Sequence, residues 1–201
     1  YSVTEEYQFH RVINPKETAI VIMDPWVNCE NCDKLINSHI VPLVNAAYNQ
    51  GHAIIVLTSD IRLVGGHYRL HPKILSYVEN GMADVIYHQW WDDVVFASFL
   101  RGQGIQSLIY VGFHSNACVL RRRTGIIKMN MLDFKTYFVP EASLALEHNN
   151  QNVMEEIGNV TSNIVNGVAA SYYGTTNIGS VIHRCKYENG GDFPSHLLKQ
   201  T

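Results

Sequence analysis

The sequence has no uninterrupted apolar run approaching the ~20 residues that a membrane-spanning helix needs, and little charge of either sign. Lys, Arg, Asp and Glu make up 16% of its 201 residues, and the formal net charge is −3. That balance gives no electrostatic case for a nucleic-acid partner, and no segment argues for a membrane. Cysteines stand only at 29, 32, 118 and 185, too few for a disulfide scaffold. Internal repeats, low-complexity tracts and linkers are absent. No secretory leader pattern is found, so the sequon Asn159-Val160-Thr161 carries little meaning and a cytoplasmic location is expected. What is present is 46% hydrophobic residues, the mark of a globular chain. This length is expected to form a single domain over 1–201, with an irregular tail from about residue 186.

Apolar runs alternate with helical patterns. Strands are predicted at 18–23, 53–57, 84–87, 107–111 and 136–139, with a last one near 180–182. Helices are predicted at 33–50, from His71-Pro72 onward, at 93–102 and at 116–130, and a polar helix-rich stretch at 147–167. The six-residue run Thr18-Ala19-Ile20-Val21-Ile22-Met23 reads as a strand buried on both faces. This βαβ rhythm predicts an α/β fold of three layers, a mostly parallel Rossmann-like sheet with helices on both faces.

The most informative segment is Ile109-Tyr110-Val111-Gly112-Phe113-His114-Ser115-Asn116-Ala117-Cys118-Val119-Leu120. A strand ends at a glycine, a short polar turn follows, and Cys118 comes near the start of a helix. Free N–H groups and partial positive charge there favour a thiolate and can hold an oxyanion. The plainer reading is a cysteine packed as a small hydrophobe. Asp24 ends the first buried strand, at the edge where open α/β sheets place their ligands. Asp24 and Cys118 are therefore expected at one edge of one sheet, as base and nucleophile. Asp24 could instead only cap the turn before Pro25.

On these residues the chain resembles the isochorismatase-like cysteine hydrolases, a family that includes nicotinamidases and N-carbamoylsarcosine amidohydrolase. The resemblance lies in the strand ending at Asp24, in Gly112-x-x-x-Asn116-x-Cys118-Val119, and in Trp91-Asp92 with the helix leading to Gly104. It covers most of residues 17 to 145. It implies a Rossmann-like α/β/α domain and an Asp–Lys–Cys triad. It also implies an oxyanion hole from the backbone N–H groups of His114 and Cys118, beside a cis peptide at Phe113–His114. Tails in this family often lie across a partner subunit, so a homo-oligomer is expected.

The chain departs from the family in two places. The family lysine follows the third strand, where this sequence reads His88-Gln89-Trp90-Trp91; between Asp24 and Cys118 only Lys34 and Lys73 occur, both on predicted helices. His88 is the candidate stand-in, since it donates a hydrogen bond and can carry charge, though a histidine at a strand end is often a packed or solvent-facing ring. His114 stands where the family often has threonine. Nicotinamidases carry an Asp-x-His metal motif where this chain reads Asp60-Ile61-Arg62. Asp60, His67 and His71 could still assemble a site, but an arginine there is unfavourable beside a cation, so no metal and no cofactor are expected. The Cys29-Glu30-Asn31-Cys32 motif, on a loop after Asp24, reads as a redox pair or half a zinc site lacking its other ligands. Trp26, Trp90, Trp91 and Phe113 are candidate substrate-binding aromatics, with core packing the alternative. Arg121-Arg122-Arg123 reads as surface or subunit salt bridges, or as a source of one residue for a substrate carboxylate.

Together these features point to a thiol hydrolase cleaving a C–N bond in a small amide, imide or ureide through a thioester, with Asp24, Cys118 and His88 as catalytic residues. Two alternatives remain at this level: vinyl-ether hydrolysis of the isochorismatase type, and a non-catalytic binding or assembly protein on the same fold.

Overall fold

A computed structural model describes residues 6–27, 30–144 and 192–199. Its centre is a five-stranded, all-parallel sheet built from β2 (Thr18–Met23), β3 (Ala53–Thr58), β4 (Asp84–Tyr87), β5 (Ser107–Phe113) and β6 (Lys135–Leu144). The spatial order is β4-β3-β2-β5-β6. The chain moves outward from β2 to one edge, then crosses back to place β5 on the other side of β2. The order thus reverses between β2 and β5, and open α/β sheets bind their ligands in the crevice outside the carboxyl ends of strands at such a point.

Strand parity divides the core into two layers, one on each face. Ile20, Ile22, Ile54, Val56, Ile109, Val111 and Phe113 pack against Ile36, Ile40, Leu43 and Val44 of the helical run made by α1 (Glu30–Leu35), a wider π-type turn at Ile36–Ile40 and α2 (Val41–Asn49). Pro42 has no N–H for an ordinary helical bond back to residue 38, and the wider turn stands just before it. On the opposite face Val21, Met23, Ile55, Leu57, Leu108, Tyr110 and Phe138 pack against Phe96, Leu100 and Met129. Those three come from α5 (Asp93–Gly102) and α6 (Ile126–Met131). The Asp92 side chain caps α5 by accepting the Val95 N–H at 2.9 Å. Two further helices, α3 (Ile61–Val64) and α4 (Pro72–Glu79), follow β3.

Several expectations are corrected. The helix predicted over 116–130 is broken. One turn covers Ser115–Val119, and α6 starts afresh at Ile126. Gly125 marks the break: a Cβ there would lie 2.7 Å from the Val119 carbonyl oxygen. β6 runs past Pro140 to Leu144 because the ladder tolerates an irregularity. Between Tyr110 and Gly112 of β5 the partner jumps from Phe138 to Ser143, and the Ser143 hydroxyl accepts the Gly112 N–H while donating to the Val139 carbonyl. The tail expected to be irregular contains β7 (Asp192–Lys199), which pairs antiparallel with β1 (Glu6–Val12). Pro194 obscured it in the sequence, yet both strands of a two-stranded ribbon are edges, where proline is tolerated. The helix expected at 147–167 and the strand near 180–182 lie outside the described residues.

Gly112 fixes the approach of β5 to β2. It pairs with Met23 and has φ +109°, and a Cβ would fall 2.3 Å from the Met23 carbonyl oxygen. Both backbone conformation and space therefore demand glycine. Gly112→Ala is expected to lower stability by about 3 kcal/mol, read as a lower urea midpoint with an unchanged m-value.

Candidate active site

Three strand ends meet at the crevice. The backbone turns sharply at Asp24, which has φ +49°, a left-handed conformation that aspartate tolerates better than most residues. Its N–H is held by the Leu57 carbonyl at 2.8 Å, and its own carbonyl accepts from Trp26 at 2.9 Å. The Asp24 side chain is fully buried. A buried carboxylate persists only when paired, and this one has three partners. His88 Nε2 lies 2.9 Å from Oδ1. Arg122 Nη2 donates to Oδ2 at 2.9 Å. The Cys118 thiol is close enough to the same carboxylate for Asp24 to raise its pKa.

His88 sits where β4 ends, its N–H on the Thr58 carbonyl at 2.9 Å, and its side chain is 7% exposed. Burial pushes its pKa below the ordinary histidine value, outweighing the pull of Asp24. It is therefore a neutral imidazole at neutral pH, donating Nε2–H to the carboxylate. The charge comes from Arg122, the residue the sequence left among surface salt bridges or substrate carboxylate binders. It lies four residues after Cys118, its side chain 30% exposed; it hydrogen-bonds Asp24, and its charge opposes the rise in the Cys118 pKa. Its Nε is buried with no hydrogen-bond partner among the described residues. The signal was present in the spacing, since residues i and i+4 share a helix face and only the middle arginine stands four after Cys118.

Cys118 is a free thiol, and its pKa is raised. Burial is the largest cause, and the charge and hydrogen bond of Asp24 add to it; Arg122 and the His114 backbone N–H oppose them and lose. Burial and Asp24 thus act on this thiol against the start of the helix, where a thiolate was expected to be favoured. The peptide bond between Phe113 and His114 is cis. His114 precedes the turn carrying Cys118, and its carbonyl accepts the N–H groups of Ala117 and Val119 at 3.0 and 3.1 Å.

The aromatic candidates divide. Trp26 stands beside the site, edge-on to His114 and Tyr68 with ring centroids 6.3 and 4.6 Å away, its indole N–H on the Thr58 hydroxyl. Phe113 is 1% exposed and belongs to the core, because it shares strand parity with Ile109 and Val111. Trp91 also turns to the core, edge-on to Phe99 at 5.3 Å. Trp90 is 61% exposed, its indole N–H on Asp60. Asp60 is engaged by Arg62 as well, which holds its carboxyl well below the usual range, and His71 binds Asp33 at 2.8 Å. His67 lies in the turn Gly66–Tyr68. Among the described residues no three His, Cys, Asp or Glu side chains gather as metal ligands. Cys32 is disulfide-bonded.

This architecture is that of the isochorismatase-like fold. A cysteine hydrolase from Pseudomonas syringae pv. phaseolicola superposes with a TM-score of 0.58 at 16% identity, over 91% of this chain and 99% of that one. An isochorismatase from Pseudomonas putida gives 0.61 at 16%, over 84% and 92%. The nicotinamidase of Staphylococcus aureus gives 0.54 at 20%, over 70% and 88%. No family model matches the sequence, and no curated protein does.

The environment of Cys118 sets its reactivity. Iodoacetamide is expected to label it slowly at neutral pH, with the rate rising only above the ordinary cysteine range. Asp24→Asn removes the largest charge opposing the thiolate, so the midpoint of the rate–pH profile should move down. An unchanged midpoint would remove Asp24 as the thiol's proton acceptor.

Proposed function

We propose that the protein is a cysteine hydrolase that cleaves a C–N bond in a small amide, imide or ureide through a thioester. The observation that carries this reading is a free thiol set beside a fully buried carboxylate at the switch point of the sheet. Asp24 takes the Cys118 proton as the sulfur attacks the substrate carbonyl. The oxyanion rests on the backbone N–H groups of His114 and Cys118. The C–N bond breaks, and the amine leaves with the proton held by Asp24. Water then adds to the thioester, giving its proton to Asp24; the C–S bond breaks, the acid is released, and that proton returns to sulfur. No metal or cofactor enters the scheme. Trp26 offers an aromatic wall, and the Arg122 Nε–H favours a substrate with a hydrogen-bond acceptor near the scissile carbonyl. A thiol placed against its base favours this covalent route over vinyl-ether hydrolysis, which needs no such nucleophile, and over a purely binding role.

Ammonia or amine release across a panel of small amides, imides and ureides tests the proposal. Wild type should turn over at least one class, and intact-protein mass spectrometry should capture an acyl adduct on Cys118. Cys118→Ala should be inactive yet folded, since it removes one sulfur from the pocket. Turnover retained in the folded Cys118→Ala variant rules out the covalent mechanism.

A further inference from the structure

We propose that Arg122 is the catalytic cation of this site: its guanidinium, bonded to Asp24 and set beside Cys118, stabilises the negative charge as it passes from carboxylate to sulfur, while His88 only positions Asp24. The inference rests on Cys118 being the nucleophile. Before proton transfer the carboxylate is negative and the thiol neutral. When the S–H bond breaks, the proton joins a carboxylate oxygen and the electron pair stays on sulfur. The site's net charge is unchanged, but its negative end has moved from Asp24 to Cys118. A group bonded to only one end would favour one state. Arg122 bonds the Asp24 end at 2.9 Å and follows Cys118 by four residues, its N–H on the Cys118 carbonyl at 3.2 Å, so its charge lies beside both ends.

His88 is placed differently. Its hydrogen bond goes to Asp24 Oδ1, the oxygen that Arg122 does not use, and it comes from the end of β4, away from the segment that carries Cys118. Its contribution is orientation: with β4 fixed to β3 through the His88 N–H and the Thr58 carbonyl, the imidazole holds the carboxylate plane. The end of β4, where a lysine would be expected from the family pattern, thus carries a donor without charge. The charge is supplied from the opposite side of the carboxylate. An arginine suits that position, because its planar fork gives donors to two acceptors at once and stays protonated when partly buried.

The test follows alkylation of Cys118 by iodoacetamide against pH, with each variant first checked for folding by circular dichroism. Arg122→Gln should raise the midpoint and slow labelling at neutral pH by about tenfold or more, one unit of thiol pKa. Arg122→Lys should recover part of the loss. His88→Gln keeps a donor for Asp24 and should shift the midpoint less than Arg122→Gln. Adding His88→Lys to Arg122→Gln supplies a cation from the other side and should restore labelling. Arg122→Gln strands a buried carboxylate and could unfold, so the same comparison is made in Asp24→Asn, where no carboxylate is stranded; there too, loss of Arg122 must raise the midpoint. Equal midpoints with and without Arg122 in that pair overturn the proposal. So does a larger shift from His88→Gln than from Arg122→Gln. Amide turnover retained by Cys118→Ala instead removes the hydrolase reading itself, an outcome separate from either of these.

Discussion

The site depends on one buried negative charge. The Asp24 carboxylate has no exposure to solvent, and leaving such a group unpaired costs on the order of 3–5 kcal/mol, a large share of the stability of a small domain. That cost dictates the neighbourhood. A donor must come from the end of β4, a cation from beyond β5, and the backbone at Asp24 must turn through a left-handed conformation to bring the side chain between them. The three strand ends are tied together by the demands of one carboxylate as much as by their hydrogen-bond ladders.

The same charge sets the chemistry. A carboxylate beside a thiol in a buried pocket raises the thiol's pKa, and burial raises it further. In the proposed hydrolase, a sulfur that gives up its proton only as the carbonyl is attacked would be more selective than a free thiolate, which reacts with any electrophile that enters.

Much of this was legible in the chain. Buried strand runs and the residues just past them located Asp24, His88 and Cys118, because the C-terminal edge of a parallel sheet is fixed by topology. Side-chain direction was harder. Phe113 read as a pocket aromatic, although the alternation of Ile109, Val111 and Phe113 assigns it to the core. Arg122 was hidden in a run of three arginines, a pattern that usually means surface, and the expected long helix concealed the break at Gly125 that lets the nucleophile's turn stand alone. β7 was concealed by Pro194, which argues against a strand until its edge position is known. Local pattern gave the sheet; what turned inward at its rim was decided by tertiary packing.

Trp26 joins two parts of the molecule that could otherwise change independently. It follows Asp24 on the catalytic edge, yet its neighbours come from the connection after α3: Trp26 bridges to Leu70, Val27 bonds the Arg69 carbonyl, and the His71 N–H bonds the Pro25 carbonyl, while Tyr68 meets its ring. Asp24 and His88 are thus anchored at strand ends of the sheet, whereas the wall formed by Trp26 is anchored in a solvent-exposed connection between helices. Substitutions in residues 65–70 can reshape that wall without disturbing the register of β2 and β5. If the proposed hydrolysis holds, a lineage built on this chain can explore new substrates by drift in one surface loop while its chemical step stays constant.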